Sequence, residues 1–118
     1  MLAKWLFALV IFSSACATYE GALRRSERAF DENEYDRTLA ILRDLEPDLH
    51  HLSQADRARY AYLRGMADFR IGYKTDARHW LSLASAWQEA APGALPEEWT
   101  ARINASLKQL NEDVYINL

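Results

Sequence analysis

Few residues in this 118-residue chain have the types and spacing to do chemistry. The single cysteine, Cys16, has a thiol open to acylation, oxidation or metal ligation, but no second cysteine to pair with inside the chain. His50 and His51 adjoin Asp44, Glu46 and Asp48, and imidazoles beside carboxylates are donors for divalent metals. Adjacent histidines on a connector point in different directions, however, and no spaced third ligand follows. The segment therefore reads as a solvated connector. Asp31-Glu-Asn-Glu-Tyr-Asp36 is rich in carboxylates but lacks the central glycine and the closing glutamate of a calcium loop. It reads as an acidic helix N-terminus, where negative charge complements the helix dipole. His79 stands alone on a helical stretch. Neither a glycine-rich phosphate loop nor a G-x-S-x-G elbow occurs. The chain is thus expected not to be an enzyme, and to use no cofactor and no metal.

The bulk properties narrow the classes further. The formal net charge is −3, and loss of Lys4 with a leader makes the mature chain one unit more acidic. A nucleic-acid binder needs a basic face to meet phosphates, so no nucleic-acid partner is expected. The length sets an expectation of one domain with one modest core.

The N-terminus has an export layout. A lone cation, Lys4, precedes the apolar run Trp5-Leu-Phe-Ala-Leu-Val-Ile-Phe12, and Ser13-Ser14-Ala15 supplies small residues before Cys16. This arrangement resembles the lipobox of bacterial lipoproteins, with Ser13 where that family usually has a branched aliphatic residue. The resemblance implies cleavage before Cys16 and acylation of its thiol, which removes Cys16 from catalysis. Alternatives are an ordinary leader cleaved near Ala15 and an uncleaved anchor. The anchor is short against the roughly 20 apolar residues of a spanning helix. In the lipoprotein family, Ala17 rather than aspartate after the cysteine favours the outer membrane. Several acyl chains hold a protein at a membrane far more firmly than one.

The remainder reads as helical. Tyr35, Leu39, Leu42 and Leu45 fall on one helical face, Asn33 is a candidate N-cap, and Pro47 stops the helix. Ser53 caps a helix running to Ile71, ended by Gly72. Lys74–Ala90 follows, with Ala77, Trp80, Leu81, Ala84 and Trp87 on one stripe. After Pro92-Gly93, Pro96 opens a last helix to Asn111, with Trp99, Ile103, Leu107 and Leu110 inward. With Tyr19–Phe30 the expectation is five helices, hence an all-α fold.

Antiparallel helix pairs invite a search for repeats. Residues 58–91 resemble a tetratricopeptide (TPR) repeat: Gly65, Ala77 and Ala84 take its small positions, Gly72 its turn and Leu81 its large position. Small residues there let paired helices approach closely. In residues 19–47, Ser26 and Asn33 take the small and turn positions, followed by Tyr35, Thr38, Leu42 and Leu45. Ser26 and Gly65 are thirty-nine residues apart rather than the usual spacing of about 34. The connector from Glu46 to Ser53 absorbs the difference. The resemblance implies a TPR-like stack of antiparallel helix pairs (two repeats) plus a C-terminal capping helix. The expected organisation is a signal peptide over 1–15, a lipidated linker over 16–18, a helical domain over 19–111 and a tail over 112–118.

TPR stacks bind along the concave face of their first helices. That face falls on Leu23, Glu27 and Phe30, flanked by Glu20 and Asp31, and on Arg59, Tyr62, Met66, Phe69 and Arg70. The latter five also share one face by helix geometry. The expected groove has an aromatic floor with acids at one side and arginines at the other, suited to a helical or extended peptide. The competing expectation is that Tyr62 and Phe69 are core and that Arg59 pairs with Glu27 or Asp31. Tyr62 and Met66 replace the polar residues of the carboxylate-clamping TPR subclass, so that activity is not expected. The functional expectation is a membrane-anchored periplasmic adaptor or assembly factor of a bacterial envelope complex. A structural accessory subunit without exchangeable ligand is the second reading; a small-molecule carrier or enzyme is the third.

Overall fold

Asn33 and Gly72 turn the chain in the same way. Each adopts a left-handed conformation, with φ 62° at Asn33 and 101° at Gly72. The next residues, Glu34 (φ −89°, ψ 69°) and Tyr73 (φ −80°, ψ 73°), then share nearly one backbone geometry. Their N–H groups reach back to equivalent carbonyls: Glu34 to Ala29 at 2.8 Å and Tyr73 to Asp68 at 2.9 Å. Left-handed φ is open to glycine and, among other residues, mostly to asparagine. The two turns are therefore local repeats, built on the two residue types that tolerate the conformation.

The computed structural model describes residues 18–116. Cys16, the segment 1–15 and Ala17 lie outside the described residues, so the expected leader and acylation site are not covered. Helix α1 occupies residues 18–31 of the described chain. It is followed by α2 (Tyr35–Leu45), a 3-10 helix (Glu46–His51), α3 (Gln54–Ile71), α4 (Lys74–Ala90) and α5 (Glu97–Ile116). The described residues contain no strand. The protein is all-α, and no described helix is long and apolar enough to cross a membrane.

Boundaries follow from local chemistry. The Ser53 hydroxyl accepts from the Asp56 N–H at 3.1 Å and caps α3. Gly72 ends α3 in the left-handed region. The Pro96 carbonyl accepts from the Trp99 and Thr100 N–H groups, opening α5. Two expectations need correction and one is sharpened. Asn33 does not cap α2; its side-chain oxygen accepts from the Tyr35 hydroxyl at 2.8 Å. The connector after Leu45 is solvated as expected, but it is ordered. It winds into the 3-10 helix, Leu52 is buried, and Arg57 donates to the Leu49 and His50 carbonyls at 3.1 and 2.7 Å. Helix α5 also runs past Asn111 to Ile116, because no glycine or proline interrupts it and Asp113 pairs with Lys74 of α4 at 3.1 Å.

Helix α3 is central, packing on α2, α4 and α5, and most extensively on α4. Ala58, Ala61, Gly65, Ala77 and Ala84 are buried small residues of α3 and α4, and Leu81 packs against Gly65 between the two helices. At Gly65 an added Cβ would lie 2.7 Å from the Leu81 side chain and 2.9 Å from its backbone nitrogen. In the first pair the small position is Ser26, fully buried, its hydroxyl donating to the Leu23 carbonyl at 2.6 Å. Trp80 is buried, while Trp87 and Trp99 are half-buried.

Candidate interaction face

Helices α1, α3 and α5 contribute to one face, and an aromatic row ties it together. Phe30 of α1 meets the Tyr62 ring edge-on at 6.3 Å, and Trp99 of α5 stacks on Tyr62 at 4.2 Å and 9°. The Tyr62 hydroxyl accepts from Arg102 at 3.1 Å, and Arg102 also pairs with Glu98. Burial pushes the Tyr62 phenol up from its ordinary pKa, opposed by the Arg102 guanidinium. Further along α5, the Ser106 hydroxyl approaches the Met66 sulfur at 3.5 Å.

The eight expected groove residues divide accordingly. Leu23, Tyr62 and Met66 are buried, the last two in contact with α5. They form core beneath the face rather than an open floor. The physical reason is the last helix: Trp99 and Ser106 occupy the space that a ligand would need over α3. Phe30 and Phe69 are half-buried and pack against the core, and Arg70 is exposed. Glu27 and Arg59 remain on the surface side, joined at 2.7 Å across the α1–α3 boundary. Their side chains keep 26% and 35% of their exposure, so the pair is accessible as well as bridged. Arg59 also lies 5.9 Å from the centre of the Trp99 ring.

Two shallow depressions flank this ion pair. One, of about 260 Å³, is lined by Glu20, Leu23, Arg24, Asp56 and Arg59. The other, of about 340 Å³, is lined by Glu27, Arg59, Trp99 and the turn Gly93-Ala-Leu-Pro96. Trp99, Leu95 and Pro96 lie outside the set expected from the first helices of the pairs. Their signal in the sequence is the Pro-led helix start, which sets Trp99 in the first turn of α5.

The other polar clusters lead elsewhere. His51 stacks on Tyr19 at 5.9 Å and 4°, and His50 packs on His51. Among the described residues no group of three or more His, Cys, Asp or Glu side chains is placed to hold a metal ion. His79 is exposed and meets Trp80 edge-on at 5.2 Å. Between α2, α3 and α4 lies a polar network that sequence reasoning missed. Arg64 donates to Glu46 at 2.7 Å and to the Tyr60 hydroxyl at 2.8 Å, and lies 4.3 Å from the Trp80 ring centre. The Tyr60 hydroxyl donates to the Leu42 carbonyl at 2.8 Å, and burial pushes its pKa up to about 12. Asp68, one turn further along α3, is only 1% exposed and its Oδ2 has no hydrogen-bond partner.

The class defined by this fold is an all-α protein of paired antiparallel helices, with a shallow, mixed-charge face across its first, third and fifth helices. No family model matches the chain, and no curated protein or solved structure matches it significantly.

Proposed function

We propose that this chain is a lipoprotein adaptor of the bacterial envelope, with acyl chains on Cys16 holding a TPR-like helical domain at the outer membrane, facing the periplasm. The observation that carries the reading is the Glu27–Arg59 bridge with a depression on either side. It offers a partner protein charged groups, an aromatic edge and a surface set by three helices. The repeated turns at Asn33 and Gly72 support the repeat architecture. The mechanism is tethering: the lipid restricts the protein to the membrane, which raises the local concentration of the helical surface for a membrane-associated partner. The partner is an envelope protein presenting a helical or extended segment. The anchor is tested by mass spectrometry of the mature N-terminus. The expected species begins at acylated Cys16, and an unmodified N-terminus at another residue overturns it.

A second reading rests on a different observation. Tyr62 and Met66 are sealed under α5, so the middle of the face is core. That favours a structural accessory subunit, packed into a larger assembly without exchanging ligands. The two readings separate on kinetics. An adaptor exchanges its partner in competition with free domain, whereas a structural subunit stays bound until the assembly is dissociated.

A further inference from the structure

We propose that Asp68 is a proton-uptake site that ties closure of the α3–α4 hairpin to the surrounding pH. Asp68 and Ala29 occupy the same place in the two hairpins, each supplying the carbonyl that receives the N–H five residues on. Ala29 is buried and apolar, and its hairpin closes without an acid. The fold therefore does not require a carboxyl at this position. At Asp68 the carbonyl holds both the Gly72 and Tyr73 N–H groups at 2.9 Å, so the residue sits at the turn it would control.

The surroundings compensate an ionised side chain only in part. Oδ2 is buried without a hydrogen bond. On α3, the guanidinium of Arg64 is already engaged by Glu46, by the Tyr60 hydroxyl and by the Trp80 ring. From α2, Arg43 contributes the smallest favourable pull, and from α4, Asp76 opposes with like charge. Burial first, then Asp76, push the Asp68 carboxyl from 3.8 up to about 6, against the pull of Arg64 and Arg43. A buried carboxylate oxygen without a hydrogen bond is costly, so either the carboxyl keeps its proton or the hairpin loosens to admit water.

The sign follows from linkage. The folded chain holds this proton more tightly than the unfolded chain, so stability falls as pH rises from about 4 to about 6. The protonated form's contribution is fully present below the unfolded pKa and is lost as pH passes through the folded one. A gap of about two pKa units is about a hundredfold in the folding equilibrium.

The test is chemical denaturation of the full chain from pH 4 to pH 7.5, wild type against Asp68→Asn, with hydrogen exchange read at the Gly72 and Tyr73 amides. The expected result is only a small gain for Asp68→Asn at pH 4 and a gain approaching a hundredfold above pH 6.5. Protection of the two amides, corrected for intrinsic exchange, should decline with pH in the wild type alone. Asp68→Ala reproduces the Ala29 hairpin and serves if the amide does not fold. Asp76→Asn should move the wild-type transition to lower pH. Parallel pH curves for wild type and Asp68→Asn overturn the proposal. So does an Asp68→Asn protein less stable than wild type at pH 7.5, because that marks a paired, favourable carboxylate.

Discussion

Gly65 packs directly against Leu81, and this contact sets how closely α3 and α4 approach. A Cβ on Gly65 would meet the Leu81 side chain at 2.7 Å and its backbone nitrogen at 2.9 Å. Part of that clash is with backbone, so a side-chain rotation cannot relieve it. Replacing a mid-helix glycine by alanine ordinarily stabilises by up to about 1 kcal/mol. Here overpacking opposes that gain, typically by about 1–3 kcal/mol. Gly65→Ala is expected to be net destabilising by about 1–2 kcal/mol in urea denaturation. Gly21, on α1, has only the flexible Arg25 side chain nearby, at 3.5 Å. Gly21→Ala should therefore leave stability unchanged or raise it by up to about 1 kcal/mol. Equal effects at the two glycines would contradict the close-packed interface.

The second prediction concerns Trp99. Its ring covers Tyr62 and starts the α5 contact with α3. Truncating a large buried aromatic costs about 3–5 kcal/mol, and the half-exposure of Trp99 sets the expectation near the lower end. Trp99→Ala should cost about 3 kcal/mol, while Trp99→Phe, which keeps a ring over Tyr62, should cost less than about 1.5 kcal/mol. Guanidinium unfolding provides the measurement. A loss below about 0.5 kcal/mol for Trp99→Ala would show that the stack does not hold α5 in place.

Much of this fold is legible in the sequence, for reasons that differ by element. Ser53, Gly72 and Pro96 announce α3 and α5 because caps and breakers act locally. The small residues Gly65, Ala77 and Ala84 mark a close helix pair. The first turn is less clear: Asn33 reads equally as a cap or as a left-handed turn residue, and only φ distinguishes them. Of the candidate face, the Glu27–Arg59 bridge is legible as opposite charges on adjoining helices. Tyr62 reads equally as groove floor or as core, and the burial of Met66 is not legible. Helical periodicity says which residues share a face but not whether a later helix lies over it. Asp68 also escapes, because a single acid among helical residues looks like any solvated charge until its burial is known.

Alkaline behaviour supplies a third prediction. The Tyr60 hydroxyl is buried between the Leu42 carbonyl and Arg64, and its phenol holds its proton up to about 12. An unfolded tyrosine ionises near 10, so the folded chain keeps this proton longer. The contribution is complete below pH 10 and is lost as pH rises through about 12. Ultraviolet titration should show two late phenols, Tyr62 raised by burial and Tyr60 near 12 together with unfolding, and Tyr60→Phe should remove the component near 12. Tyr60→Phe should also cost about 1–3 kcal/mol near neutral pH, because it leaves the buried Leu42 carbonyl short of its donor. Retention of the component near 12 in Tyr60→Phe would assign it to another residue.

A fourth prediction separates stability from recognition at Arg59. The Glu27–Arg59 pair is partly exposed, and such pairs contribute about 0–1 kcal/mol. A double-mutant cycle with Arg59→Ala and Glu27→Ala should give a coupling within that range. Partner capture should fall at least tenfold for either single variant, because both depressions border the pair. A large stability loss with unchanged capture would reverse these roles.

In the proposed function a tethered chain meets its partner through the face shared by α1, α3 and α5. Site-specific photocrosslinking in intact cells tests it most directly. A photoreactive residue replaces Arg24, beside the Glu27–Arg59 bridge, or His79, on the exposed side of α4. Position 24 should give one discrete protein adduct, position 79 none, and Cys16→Ser should abolish the adduct at position 24. An adduct from position 79 alone, or one at position 24 that survives Cys16→Ser undiminished, would contradict the account.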